Sequence, residues 1–337
     1  MASQTIKLSD LAKELGLSVS TVSKALNDSR EISQETKKRV LTLSKKLNYR
    51  PNSVAQSLKQ SRTKTIGVII PDLLNYYFVK ALNGIQQASE DQGYSIITCV
   101  TNESMIAEKG YFDLLTNGSV DGLIVAMSIE TQKKQQFDHF NQLINNEFPL
   151  VLFDRVSDQI NCSQIVSDDF ESGLIAARHL FEENCQCPAV IIVNSDLEVI
   201  KRREEGFIHE WKTLKKNNPL KQYEIFDLDH CEDLITQFLL DHPSVDAVFA
   251  VDERLGIKSL KCALNLGKPV PKGFKVIGVS NGELSKEFSI PLSVIDLREN
   301  EIGMAAAAEV FKIVKSYNAH QKINVIPPKL LVRSSSY

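Results

Sequence analysis

Between Ser18 and Asn27 the chain reads SVSTVSKALN, and Val19, Ser20, Ser23, Lys24 and Asn27 fall on one side of a short helix. Such a face of small, polar and basic groups is a poor core surface. Its hydroxyls and amide exchange hydrogen bonds, its ammonium donates them, and its valine offers methyl contacts. The major groove of duplex DNA presents a partner for each of these. The elements that must hold this face outward are written around it. Leu8, Leu11, Ala12 and Leu15 recur at the i, i+3, i+4, i+7 spacing of a buried helical stripe. Gly16 permits the tight turn that follows, because only glycine enters left-handed backbone space without a steric penalty. Ser18 is placed to cap the second helix on an amide near Ser20 or Thr21, and Val22 and Leu26 pin that helix to the first. From Ser33 the segment SQETKKRVLTLSKKLNY opens on a capping serine and carries Val40, Leu43 and Leu47 at helical spacing. Residues 1–50 thus read as an all-α helix-turn-helix head.

Charge divides the chain at nearly the same place. The first 62 residues carry a net +7 and the remainder −10, within a total of −3. Basic charge answers phosphates through counterion release, whereas an acidic body stays off nucleic acid. Residues 51–63 then read as a hinge helix and polar linker. Pro51 disfavours helix at Arg50 and suits the start of a new one. The segment Asn52 to Lys59 makes about two turns, too few for an isolated helix, so it is expected to fold only against DNA and a partner hinge. Leu58 at its far end has no core of its own and suits a wedge between base steps from the minor groove.

The segments TVSKALN, YRPNSVAQSL and RTKTIGVIIPD resemble the LacI/GalR family of bacterial transcription regulators. The resemblance continues through VDGLIVA, DRVSDQ, RREEGF, FAVDE, KVIGVSNG, SIPLSVIDL and LLVRSS, covering essentially the whole chain. It implies a homodimer that sets two heads on a near-palindromic operator in double-stranded DNA, with a small molecule in the larger domain changing operator affinity. By position it implies Val19, Ser20 and Lys24 as base readers, with Ser18, Thr21, Ser23, Asn27 and Asn52 at phosphates and Leu58 in the minor groove. Lys24 stands where many members have arginine, and lysine lacks the rigid guanidinium fork.

Residues 64–337 read independently as an α/β domain. Short apolar runs near 66, 95, 120, 149, 189, 246, 275 and 292 alternate with helix-length stretches such as Phe78–Gln92 and Glu299–Tyr317. That alternation implies parallel sheets with helices on both faces, and about 270 residues exceed one compact lobe. The family fold is periplasmic-binding-protein-like: two lobes crossed by three segments, near Gln164–Asp168, Ile295–Leu297 and Ile323–Pro328. Ligands in such sheets bind beyond the carboxyl ends of the strands. Candidates there are Asn75, Tyr77 and Phe78, Ser128, Asp154 and Asp168, while Arg203 occupies the family's ligand-facing arginine position. Acids and guanidinium beside aromatic rings suit a sugar. Asp168 has the alternative of capping the helix near Phe170, and Arg203 that of a surface ion pair.

Two departures from the family pattern weaken the sugar inference. Val251 stands where an Asn commonly precedes the Asp-Glu pair, and Gly278-Val279-Ser280-Asn281 replaces a GFDD-like turn. Ser280 and Asn281 are the weaker substitutes. The six cysteines are scattered without zinc-site spacing, and no HExxH, GxSxG or Walker-type glycine loop is present. No metal, cofactor or enzymatic apparatus is therefore expected. The start MASQTIKLSD is too polar for a signal peptide, which places the chain in the cytoplasm, at the nucleoid when operator-bound. The expected function is a ligand-controlled regulator, a repressor of carbohydrate-metabolism genes. The competing readings are a regulator answering a nucleobase, a solute-binding protein of the same fold, and a metabolic enzyme on a doubly wound sheet.

Overall fold

The computed structural model describes residues 6–49, 62–193, 196–214, 219–226, 230–316 and 321–337. Two compact units divide it, Met1–Thr63 and Lys64–Tyr337. Asn52 and Leu58 lie outside the described residues.

The first unit holds three helices, α1 (Leu8–Leu15), α2 (Val19–Leu26) and α3 (Gln34–Lys46). Gly16 ends α1 at φ +67°. The Ser18 hydroxyl caps α2 by accepting the Thr21 amide, and Ser33 does the same for α3 through Thr36. Leu11, Ala12, Val22, Ala25 and Val40 form the core, flanked by Leu8, Leu15, Leu26 and Tyr49. Leu43 and Leu47, expected on the α3 stripe, are half-buried. So few apolar side chains leave the turn after α2 in need of a polar clamp. Lys37 provides it: nearly buried, it donates to the Asp28 carboxylate at 2.7 Å and to its carbonyl at 3.2 Å, and holds Asp28 at φ +52°.

The second unit contains two six-stranded sheets. The first comprises β1 (Thr65–Ile70), β2 (Ser95–Val100), β3 (Gly122–Val125), β4 (Leu150–Phe153), β5 (Ser163–Ser167) and β11 (Ile323–Ile326), in the order β11-β5-β4-β3-β1-β2 and parallel throughout. The second comprises β6 (Pro188–Val193), β7 (Lys221–Ile225), β8 (Ala247–Ala250), β9 (Lys275–Val279), β10 (Ser293–Asp296) and β12 (Lys329–Leu331), in the equivalent order β12-β10-β9-β8-β6-β7. Only β12 runs antiparallel there. The central strands β3, β4, β6 and β8 are buried along their whole length, as expected of a sheet covered on both faces. The eight apolar runs of the sequence are all strands. The edge strand β7 was not among them, since KQYEI is half-exposed and mostly polar.

The helices between these strands are α4 (Tyr76–Asp91), α5 (Met105–Thr116), α6 (Ile129–Lys134), α7 (Asp138–Asn145), α8 (Asp169–Glu182), α9 (Glu198–Leu214), α10 (Cys231–Asp241), α11 (Glu253–Asn265), α12 (Glu283–Glu287) and α13 (Glu299–Ser316). The chain passes between lobes three times: from β5 into α8, from β10 into α13, and from β11 into β12. These are the crossings that the family resemblance implied. α8 leaves the first sheet and packs on α9, while α13 leaves the second sheet and packs on α4. Both helix pairs approach closely because glycines face backbone. A Cβ on Gly173 would stand 2.1 Å from the Arg203 carbonyl oxygen, and one on Gly206 2.1 Å from that of Phe170. In the other pair, a Cβ on Gly84 would stand 2.0 Å from the Asn300 carbonyl oxygen and one on Gly303 1.9 Å from that of Ala81.

Candidate reading face and interlobe cleft

On α2, Val19, Ser20, Lys24 and Asn27 are exposed, and Thr21 and Ser23 are half-exposed. Val19 shows 48% of its surface although it is apolar, so it is available for methyl contact. Ser18 also contacts the hydroxyls of Ser20 and Thr21, each at 2.8 Å, and Asn27 donates to the Ser23 carbonyl at 3.0 Å. Lys24 forms an ion pair with Glu31. A base edge would have to compete with that carboxylate for the lysine. Both partners are well exposed, so the pair contributes little on its own.

In the second unit, polar groups collect at the carboxyl ends of strands from both sheets. Asp72 and Asn75 follow β1, Glu103 follows β2, Asp154 and Arg155 follow β4, Asp252 follows β8 and Ser280 follows β9. With Tyr77, Phe78, Arg203, Arg254 and an apolar wall of Val193, Leu197, Val199, Ile200, Val279 and Leu297, they line one cavity. Three of these residues, Glu103 (φ +63°), Asp154 (φ +60°) and Ser280 (φ +77°), hold left-handed backbone that non-glycine residues avoid. Strain of this kind gathers where a site must be shaped.

The cluster's centre is a buried ion pair. Arg203 on α9 donates through Nε to Asp169 at 2.7 Å and through Nη1 to the Val251 carbonyl at 3.0 Å. Burial pushes the Asp169 carboxyl up to about 6, against the pull of the Arg203 guanidinium. Burial likewise raises Asp154, opposed by Arg155 and Arg203. Burial alone would lower Arg203, but Asp169 and Asp154 outweigh it and hold the guanidinium above its ordinary value. The Tyr77 hydroxyl is buried beside these acids, with no well-formed hydrogen bond among the described residues. Burial, then Asp154 and Asp169, push its ionisation well up, so it stays a neutral phenol. Arg155 donates to Glu103 at 2.6 Å and lies over the Phe78 ring, 5.4 Å from its centroid.

Linkage gives this cluster a pH signature. The folded chain holds the Asp169 proton more tightly than an unfolded carboxyl near 3.8 would. The contribution is therefore complete below about pH 4 and lost as pH rises through about 6, on the order of 2–3 kcal/mol. Asp169→Asn should flatten the melting temperature over that window. An unaltered slope would assign the titration to other groups.

Several expected contacts are used otherwise. Ser128 is withdrawn from the cleft. It is fully buried and caps α6, with its amide donating to Glu108 at 2.6 Å and its hydroxyl contacting Thr131 at 2.9 Å. Asn281 is also removed, its amide spanning Asp296 at 3.2 Å and Arg333 at 2.6 Å. Asp168 caps α8 through the Glu171 amide at 3.0 Å. It lines a neighbouring cavity of about 330 Å³ that shares Asp154 and Val199 with the first. Phe78 reaches the cleft but spends its ring on Tyr77 and Phe153. Ser280 does line the cleft, and its hydroxyl donates to the buried Glu299 at 2.5 Å. Residues not foreseen are Asp72, Glu103, Arg155, Asp169, Asp252 and Arg254. Arg155 stood next to a chosen residue in DRVSDQ, and Asp72, Glu103 and Asp252 each follow a strand end.

Comparison with known proteins agrees with both halves of this architecture. Residues 7–52 match the model of bacterial regulatory proteins of the lacI family, and residues 63–334 that of periplasmic binding proteins and the sugar binding domain of the LacI family. The chain is 28% identical to the HTH-type transcriptional repressor PurR of Aliivibrio salmonicida, over 98% of both chains. It is 27% identical to the ribose operon repressor of Halalkalibacterium halodurans, over 97% of this chain and 96% of that one. Among solved structures, the lac repressor dimer bound to operator and the anti-inducer ONPF superposes with a TM-score of 0.86 at 21% identity, over 99% of both chains. A LacI family regulator from Enterococcus faecium with bound ribose gives 0.71 at 24% identity, over 81% of this chain and 98% of that one. With family matches spanning both the three-helix unit and the two-lobed α/β unit, the chain belongs to the LacI family of DNA-binding transcriptional regulators and is not an enzyme.

Proposed function

We propose that this chain is a homodimeric repressor of carbohydrate-metabolism genes whose operator affinity is set by a sugar held between the lobes. The observation that carries the sugar assignment is the alternation of carboxylates and guanidinium groups around the cleft. A sugar hydroxyl both donates and accepts, so it satisfies Asp72, Asp154 or Asp252 and Arg155, Arg203 or Arg254 together. A nucleobase is the second reading. It would stack on a free aromatic face, but the Phe78 ring is engaged edge-on by Tyr77 and Phe153 and faced by Arg155. The cavity measures about 90 Å³ and adjoins one of about 330 Å³ that shares Asp154 and Val199 with it, and the larger is within the size of small-molecule pockets, which begin at roughly 300 Å³. A ligand with different affinity for two arrangements of the lobes would shift their populations.

A thermal-shift panel of pentoses, hexoses and nucleobases tests the assignment, since a ligand of the native state raises the melting point. Shifts with sugars support it, and shifts confined to nucleobases overturn it. Residues 1–50 would bind DNA, 51–63 would fold as hinge, and 64–337 would sense and dimerise, with Asn52 at phosphate and Leu58 as wedge. Exposed Leu73, Leu74 and Val79, before and on α4, supply apolar surface for the dimer. The regulator would act in the cytoplasm, at the nucleoid when bound to its operator.

On the head, Lys24→Ala should weaken operator binding by about 1–3 kcal/mol and relax base preference at one position. Binding-site selection with the variant checks this. Selection of an unchanged operator would take Lys24 off the reading face.

A further inference from the structure

Outside the cleft, α10 and α11 pack together in the second lobe and gather three reactive groups. Cys231, the first residue of α10, is fully buried, and Cys262 on α11 is nearly so. Lys258, one turn before Cys262 and half-buried, brings its Nζ to 2.9 Å from the Cys231 sulfur. The Cys262 thiol donates to the Glu232 carbonyl at 3.3 Å, so its hydrogen is committed to backbone. The group that meets the Cys231 sulfur is Lys258, whose Nζ donates a hydrogen bond to it.

We propose that Cys231 and Lys258 form a modification site, closing to a covalent nitrogen–oxygen–sulfur bridge when the protein meets hydrogen peroxide. In the first step the Cys231 sulfur attacks peroxide. The O–O bond breaks, a sulfenic acid forms and one water leaves. Lys258 gives up its ammonium proton to solvent. A second peroxide then removes two more electrons as the sulfenic oxygen joins the amine nitrogen. One N–H and the S–O–H hydrogen leave, and two waters form. Two peroxides are reduced and the pair is oxidised by four electrons, gaining one oxygen and losing two hydrogens. Two equivalents of a dithiol supply the four electrons for the reverse reaction, and the bridging oxygen leaves as water. The bridge ties the start of α10 to the middle of α11, the helix that Asp252 caps from the cleft wall. Oxidation thereby stiffens an element of the ligand site.

The full chain, treated with peroxide and then mapped by mass spectrometry under denaturing, thiol-blocking conditions, provides the test. The expected product gains about 14 Da, joins the peptides holding residues 231 and 258, resists tryptic cleavage after Lys258 and reverts with dithiothreitol. It should vanish in Cys231→Ser and in Lys258→Arg, which keeps the charge and the fold but lacks the amine. Cys262→Ser should retain it. A linked product that has only lost two hydrogens and needs Cys262 would show a disulfide and overturn the proposal. Oxygen on Cys231 without a link, or no change at all, would overturn it equally.

Discussion

Arg203→Ala is expected to destabilise the chain by about 3–5 kcal/mol at pH 8 and to abolish its response to the small molecule. The size follows from what remains rather than from what is lost. Asp169 is buried and its principal partner is the Arg203 guanidinium. Without it the carboxylate must either stay charged in a poor dielectric or take up a proton. Since burial already lifts that carboxyl to about 6, acid should relieve the variant, and its deficit against wild type should shrink at pH 5. Denaturant unfolding at the two pH values reads the difference. Equal deficits would mean that Asp169 is not the group left stranded. Replacing both partners, as Arg203→Met with Asp169→Leu, should recover most of the stability and none of the response. Recovery of stability without response separates the pair's role in packing from its role in ligand contact.

The second large effect is a contrast of sign between two glycines. Gly173→Ala places a methyl 2.1 Å from the Arg203 carbonyl oxygen, a backbone atom that cannot swing aside. Alanine gains up to about 1 kcal/mol over glycine in a helix interior, but forcing α8 from α9 should outweigh that gain by about 1–3 kcal/mol or more. Gly110 on α5 has nothing within 4 Å of its added Cβ, so Gly110→Ala should stabilise by up to about 1 kcal/mol. Because the atom met at Gly173 belongs to Arg203 itself, Gly173→Ala should also weaken ligand binding, although residue 173 does not line the cleft. Melting curves for the two variants settle the signs. A Gly173→Ala protein as stable as wild type would show that the helix pair has slack.

The head was the most legible part of this sequence. Apolar periodicity, one turn glycine and two capping serines determine it, and those local signals are what the structure uses. The two lobes were legible through β-branched runs, and the edge strand β7 escaped because a half-exposed strand carries no such run. The cleft was legible only in outline. Polar residues after a strand also precede a helix, and Asn75, Ser128, Asp168 and Asp252 all turn out to be N-caps. The side chains that cap a helix are of the same types that hold a sugar, so sequence alone does not separate the uses. Asn75 and Asp252 serve as caps at the cleft edge, whereas Ser128 is consumed entirely. The Arg203–Asp169 pair was half-foreseen: the arginine came from its position in RREEGF, and its partner required knowing that α8 and α9 meet through glycines.

The three passages between lobes bear on how this molecule is born. The first lobe receives α13 and β11 only after nearly all of the second has been translated. On the ribosome its sheet therefore lacks an edge strand and a covering helix until about residue 326. At the usual ~5–20 residues per second, that interval runs to tens of seconds after the reading head has emerged. Throughout it, a nascent chain can carry a finished head with no finished sensor behind it, and the two become one instrument only when the last passage is made.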